Sequence, residues 1–187
     1  MTSAAIEMAI ENDWVNGKFE ETEDDYKISD TNILWKYEEP ILKKGVELLC
    51  EKHKPKSVLE FGFGLGWTAT EFQKQGVERH VILEPNKENY QMALDWKKQF
   101  DDSDIELLTI FSWDFETDEK FDLVYDDRQQ FTKECNKKHY DQMNKILEKG
   151  QLYTTCAVYI SQKGCLPPAI YFEIDDKLCV QPLREYK

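Results

Sequence analysis

Basic residues are in short supply. The 187-residue chain carries 24 Lys and Arg against 37 Asp and Glu, a formal net charge of −13, with no long basic cluster. Such a surface repels nucleic-acid phosphates and anionic lipid heads, so neither a nucleic-acid nor a membrane partner is expected. Long apolar runs are missing too: no stretch approaches the roughly 18 residues needed to cross a bilayer. The five cysteines, Cys50, Cys135, Cys156, Cys165 and Cys179, are odd in number, irregularly spaced and form no C-x-x-C pair. His53, His80 and His139 lie far apart in sequence. Neither a disulfide framework nor a metal site is therefore expected. The opening MTSAAIEMAIENDW has neither the basic start nor the apolar run of a secretory signal. A cytoplasmic chain with reduced thiols is the expectation.

What is present suffices for a folded enzyme-sized unit. Hydrophobic residues make up 41% and aromatics 13%, enough for a core, and the length suits one domain. Residues 1–30 stand apart: they contain the run Glu20, Glu21, Glu23, Asp24, Asp25 and read as an acidic N-terminal arm, or a lid that orders on binding. Trp14, Phe19 and Tyr26 suggest that it docks. Residues 31–187 form the domain proper, in which strand-like and helix-like segments alternate. The apolar runs SVLEF (57–61), HVILE (80–84), IELLTI (105–110), FDLVYD (121–126) and LYTTCAVYI (152–160) read as strands, with helical patterns from Pro40, over 67–75, over 85–100 and over 133–148. Gly150 reads as the cap of the last helix. AIYFEI (169–174) and LCVQPL (178–183), joined by Asp175-Asp176, read as a hairpin. The expected class is α/β: a Rossmann-like, doubly wound, mostly parallel seven-stranded sheet with an antiparallel C-terminal hairpin.

The chemistry gathers at strand ends, where doubly wound sheets bind their ligands. The first strand runs into Gly62-Phe63-Gly64-Leu65-Gly66. Glycines there let the backbone turn sharply and approach a ligand closely. The spacing is G-x-G-x-G, not the dinucleotide G-x-G-x-x-G, and no Gly-Lys-Ser/Thr of a phosphate loop follows. The second strand ends in Glu84, placed to accept hydrogen bonds from ribose hydroxyls. Together these features predict a nucleoside site.

VLEFGFGLG (58–66) and VILEPN (81–86) resemble the first and second motifs of class I S-adenosylmethionine-dependent methyltransferases. The resemblance implies S-adenosyl-L-methionine as cofactor. It sets Glu60 and the glycine loop (Gly62, Phe63, Gly64, Gly66) against the methionine part, and Glu84 on the ribose. Trp113 and Asp114, after the third strand, would face the adenine ring and its amine. Within that superfamily the chain is most similar to guanidinoacetate N-methyltransferase and its arginine-methylating relatives. The similarity rests on Tyr37-Glu38-Glu39-Pro40, VLEFGFG, HVILEPN, Asp95-Trp96 and FDLVYD. It implies two substrate carboxylates, Glu38 and Asp126, with Asp126 as the base, Glu38 as the second anchor and Tyr37 flanking the cation.

A guanidinium is planar, permanently charged and two-pronged, which suits paired carboxylates. The expected function is therefore N-methylation of a guanidino or amine nitrogen on a small cationic molecule. Protein arginine methylation and a non-catalytic S-adenosylmethionine-binding module are the alternatives. Asp127-Arg128-Gln129 departs from the family pattern after Asp126, and Tyr37 stands where the family has Trp. The short segment from Ser161 to Ala169 leaves room for a homodimer in which a second copy completes the pocket wall.

Overall fold

Residues 3–35, acidic yet rich in aromatics, form α1 (Ser3–Asn16) and three antiparallel strands: β1 (Phe19–Glu21), β2 (Asp25–Ile28) and β3 (Thr31–Trp35). The computed structural model describes residues 3–100, 103–128, 132–148, 151–159 and 169–185. Tyr26 packs its ring edge-on against Trp67, and Ile28 and Leu34 are buried, so this segment joins the body through its apolar side chains. A 3-10 turn at Lys36–Glu38 leads into α2 (Glu39–His53). Pro40 sits in the first turn of α2, where its missing N–H costs nothing. Ile41, Leu42, Val46 and Leu49 recur at helical spacing and make the buried face.

The continuous apolar runs become the strands of a sheet covered on both faces. In chain order they are β4 (Ser57–Phe61), α3 (Trp67–Lys74), β5 (Arg79–Leu83), α4 (Lys87–Lys97), β6 (Asp104–Leu108), β7 (Leu123–Asp126), α5 (Lys133–Ile146) and β8 (Leu152–Thr155). β8, β7, β4, β5 and β6 lie side by side in that order, all parallel. Register aligns Phe61 with both Leu83 and Asp126, so the strand ends share one rim. Leu59, Phe61, Val81, Leu83 and Val124 face α5. Val58, Leu123 and Tyr125 face α2 and α3, and Ile82 and Ile105 meet α3 and α4. Each fully buried aliphatic or aromatic side chain contributes about 1.5–3 kcal/mol.

The expected seven-stranded sheet is corrected to five parallel strands. The run expected as one strand over 152–160 breaks at Cys156-Ala157 into β8 and β9 (Val158–Tyr159). There the Gln181 amide donates to Thr155 O and Thr154 Oγ1, both at 2.6 Å, and supplants the ladder. The hairpin β10 (Ala169–Ile174) and β11 (Lys177–Pro182) turns at Asp175-Asp176, with φ of 48° and 60°. It pairs with β9 in a separate antiparallel sheet rather than extending the main one. Only β12 (Arg184–Glu185) returns, antiparallel, to β8. The expected helix cap at Gly150, most of the 161–169 segment and Cys165 lie outside the described residues.

Candidate active site

Strand order reverses between β4 and β7, where a crevice opens at the carboxyl rim. β4 leaves the sheet at Gly62, whose φ is +88°; a Cβ there would stand 2.8 Å from the Asp127 carbonyl oxygen. Gly64, at φ +54°, would bring a Cβ within 2.9 Å of Leu34. At 62 the backbone after β7 leaves room for glycine alone, while at 64 the positive φ favours glycine and Leu34 would have to shift for any other residue. The result is a solvent-open cleft bordered by Leu34, Gly62, Gly64, Glu84 and Asn89, with Trp113 on its wall.

Glu84 anchors the cleft floor. Its Oε2 accepts the Phe63 N–H at 3.0 Å and its Oε1 the Asn86 N–H at 2.8 Å. Burial pushes its carboxyl above the ordinary range, while these amides pull it back down. The Gly64 backbone and the Asn89 side chain also hydrogen-bond to it. The Asn86 side chain caps α4 through the N–H groups of Glu88 and Asn89. It also donates to the carbonyls of Trp14 at 2.7 Å and Gly17 at 2.9 Å, fastening α1 beside the cleft.

The other expected donor-site residues divide. Gly62, Gly64, Glu84 and Trp113 border the cleft. Trp113 stacks on Phe111 with centroids 4.5 Å apart and planes 8° from parallel, a flat aromatic wall. Phe63 contributes its backbone N–H, while its ring turns to Trp96. Gly66, at φ +71°, precedes α3 and seats against the Phe63 ring. Glu60 is fully buried on the α3 side, bound to Thr68 Oγ1 and to His80 Nε2 at 2.8 Å, and does not border the cleft. Asp114 is exposed in a surface hollow with Arg79 and Glu106, away from the aromatic wall.

A second, adjoining pocket holds acids. Glu38, Leu42, Asp127 and Cys156 border it, and Ile33, Leu34, Asp127 and Arg128 are shared with the first cleft. Glu38 Oε2 accepts the Trp35 N–H at 2.8 Å, which fixes it at the start of α2. Burial raises the Glu38 carboxyl. Tyr37, 53% exposed, stacks on Trp35 with centroids 6.2 Å apart and borders neither pocket.

Asp126, expected to face Glu38 there, points to the α5 side instead. It accepts from Tyr153 Oη and lies 3.2 Å from His139 Nε2 and 3.3 Å from Arg128 Nε. His139 Nδ1 in turn meets Ser112 Oγ at 2.8 Å. Burial pushes the Asp126 carboxyl up, but His139, Arg128 and Tyr153 together bring it below the ordinary range. Burial also holds His139 below its usual value, which favours the neutral ring.

The residue that reaches the acidic pocket is Asp127. Burial and the charges of Glu60, Asp126 and Glu38 push it well above the carboxylate range, against a hydrogen bond with Cys156. Sequence reasoning missed Asp127; the signal was strand period two, which gives consecutive residues opposite faces.

Reversed strand order, a glycine loop cradled by backbone, an amide-bound carboxylate and an aromatic wall define a class I S-adenosylmethionine-dependent methyltransferase. A family model described as guanidinoacetate N-methyltransferase matches residues 7–164, and the chain belongs to that family. No curated protein matches it. Its fold is similar to that of the N-methyltransferase NodS from Bradyrhizobium japonicum WM9, at 13% identity and TM-score 0.60, covering 81% of this chain and 97% of that one. It is also similar to the glycopeptide N-methyltransferase MtfA complexed with S-adenosylhomocysteine, at 16% identity and TM-score 0.54, covering 78% and 64%. Among the described residues no helix is long and apolar enough to cross a membrane.

Proposed function

We propose that this chain methylates a guanidino or amine nitrogen of a small cationic molecule, with guanidinoacetate as the model acceptor. The observation that carries the reading is the shared wall: Leu34, Asp127 and Arg128 border both the cleft of the glycine loop and Glu84 and the pocket that contains Glu38. Arg128 does not cancel this acidity, because its Nε lies 3.3 Å from Asp126 and its Nη1 donates to Asn136 at 2.9 Å. The family match favours such an acceptor. A net charge of −13 favours a cation over a nucleic acid.

Bound S-adenosylmethionine supplies an electrophilic methyl group on a sulfonium sulfur. Glu84 and the loop at Gly62 and Gly64 would hold it, and Trp113 would flank its base. Glu38 and Asp127 hold the acceptor cation from two sides. Holding the nitrogen in line is worth on the order of 7–11 kcal/mol in favourable cases. Methyl transfer would leave the sulfur–carbon electron pair on sulfur and would cost the acceptor nitrogen a proton. A cation bound beside Asp127 draws it into its ionised form, in which it takes that proton. Asp126 fixes Arg128 and His139 behind it. The N-terminal segment serves as a lid, with Leu34 lying over Gly64. The same reading puts the reaction in the cytoplasm.

Methyl-labelled S-adenosylmethionine with guanidinoacetate, arginine and a panel of amines tests the reading. A labelled small molecule is expected. Label only in lysate proteins, or none although S-adenosylhomocysteine binds, would overturn the acceptor class.

A further inference from the structure

One buried titratable group takes no direct part in the chemistry above. His139, on α5, is fully buried against the sheet face of Leu59, Phe61 and Val124. Its ring meets Phe61 and Tyr140 in edge contacts, with centroids 5.4 and 5.3 Å away, so it cannot turn freely. Nδ1 meets the Ser112 hydroxyl at 2.8 Å. Nε2 lies 3.2 Å from Asp126 Oδ2, and no other described residue accepts from it. These contacts dictate where the protons are. Arg128, 3.3 Å away, and the Tyr153 hydroxyl hold Asp126 in its ionised form, which can only accept. The proton of the neutral ring therefore sits on Nε2, facing the carboxylate, and Nδ1 is bare. Ser112 must be the donor to Nδ1.

Ser112 borders the donor cleft and is 5% exposed. It lies inside the turn closed by the Asp114 N–H on Phe111 O at 3.0 Å, between the two stacked rings of the aromatic wall. Three residues further along α5, Gln142 Nε2 donates to Phe115 O at 2.5 Å, so the far end of this segment is held independently. Cutting the Ser112 contact frees the wall without releasing the loop. A buried polar chain costs desolvation, and a connected one fixes a single arrangement. We propose that His139 is a positioning residue for the methyl donor: braced by Asp126, it draws Ser112 toward α5 and thereby sets the Phe111–Trp113 wall of the cleft. The proposal rests on the reading of this cleft as the donor site. Nothing in the sequence joins Ser112 to His139, which stand 27 residues apart.

Calorimetry with S-adenosylhomocysteine on the full chain tests this, comparing wild type, Ser112→Ala, His139→Gln and His139→Asn. A glutamine amide reaches the place of Nε2 and keeps the contact with Asp126. An asparagine carbonyl stands at the place of Nδ1 and keeps the contact with Ser112. Ser112→Ala and His139→Gln should each bind about three- to tenfold more weakly than wild type, the scale of one hydrogen bond. Combined, they should lose no more than either alone. His139→Asn should recover most of that loss. Equal losses for glutamine and asparagine would make His139 an ordinary core residue and overturn the proposal, as would wild-type affinity in Ser112→Ala. Nitrogen NMR of the wild-type imidazole needs no variant: the proton is expected on Nε2 at neutral pH, and a proton on Nδ1 overturns the proposal. If wild type does not bind S-adenosylhomocysteine although His139 carries its proton on Nε2, the donor reading of the cleft falls, and the proposal with it.

Discussion

Asp126 and Asp127 are neighbours in the chain and serve opposite faces of the sheet. Asp126 continues the face of Val124 toward α5 and binds Tyr153, His139 and Arg128. Asp127, whose N–H still donates to Phe61 O at 2.9 Å, continues the ladder by one residue and reaches the pocket of Glu38 and Cys156. One carboxylate is neutralised by partners; the other lies half-buried among like charges. Under the proposed function, the doublet divides support from chemistry.

Asp127→Asn should lower turnover by about two orders of magnitude or more, with S-adenosylhomocysteine affinity retained. It should also change the pH dependence of stability. The folded-state value of Asp127 is raised, so its contribution is fully present below the unfolded value of about 3.9 and is lost as pH rises through the folded value. The variant should gain stability over wild type as pH rises from 4 to 8. Denaturant melts at several pH values check this; a gap that stays constant would contradict the assignment.

Asp126→Asn should act chiefly on stability. It leaves Arg128 and His139 without their buried anion, a loss of about 3–5 kcal/mol. The folded value of Asp126 is depressed, so its stabilisation is present above about pH 3.9 and is lost as pH falls through the folded value. Wild type and variant should converge in strong acid. Urea midpoints at neutral pH and at pH 3 measure both ends of that window.

Gly62→Ala should cost about 1–3 kcal/mol in stability and weaken donor binding, because the new methyl meets the Asp127 carbonyl at 2.8 Å. Gly76→Ala is the control: its φ is +80°, yet nothing lies within 4 Å of the added carbon. It should cost only the backbone penalty, about 1–2 kcal/mol, and leave S-adenosylhomocysteine affinity unchanged. Thermal melts and calorimetry separate the two.

Asn86→Ala removes the α4 cap and both ties to the N-terminal segment, at Trp14 of α1 and at Gly17 just after it. Loss of the cap alone costs about 1 kcal/mol. Amide exchange over residues 14–19 should rise more than exchange in β4. Equal protection of residues 14–19 in both proteins would dissociate Asn86 from the N-terminal segment.

The sequence carried the parallel core because continuous apolar runs such as SVLEF and HVIL report double-sided burial directly. Gly62, Gly64 and Glu84 were legible for the same local reason: a strand end, a glycine turn and an acid lie close along the chain. The break at Cys156-Ala157 was not, since a long-range competitor, the Gln181 amide, causes it. Asp114 was misplaced because the turn after β6 sends it to solvent while Trp113 stays on the cleft wall. Glu60 looked like a ligand residue, but His80 on the neighbouring strand and Thr68 in the first turns of α3 occupy it. Asn89 and Asp127 depend on which face a side chain takes, and neighbouring elements determine that.

The most direct measurement is isothermal calorimetry of wild type and Glu84→Ala with S-adenosylhomocysteine. The carboxylate that receives the Phe63 and Asn86 amides at the cleft floor should hold the nucleoside, so wild type should bind with one-to-one stoichiometry and the variant at least about tenfold more weakly. Equal affinity in a folded variant, or no heat with wild type, would contradict it.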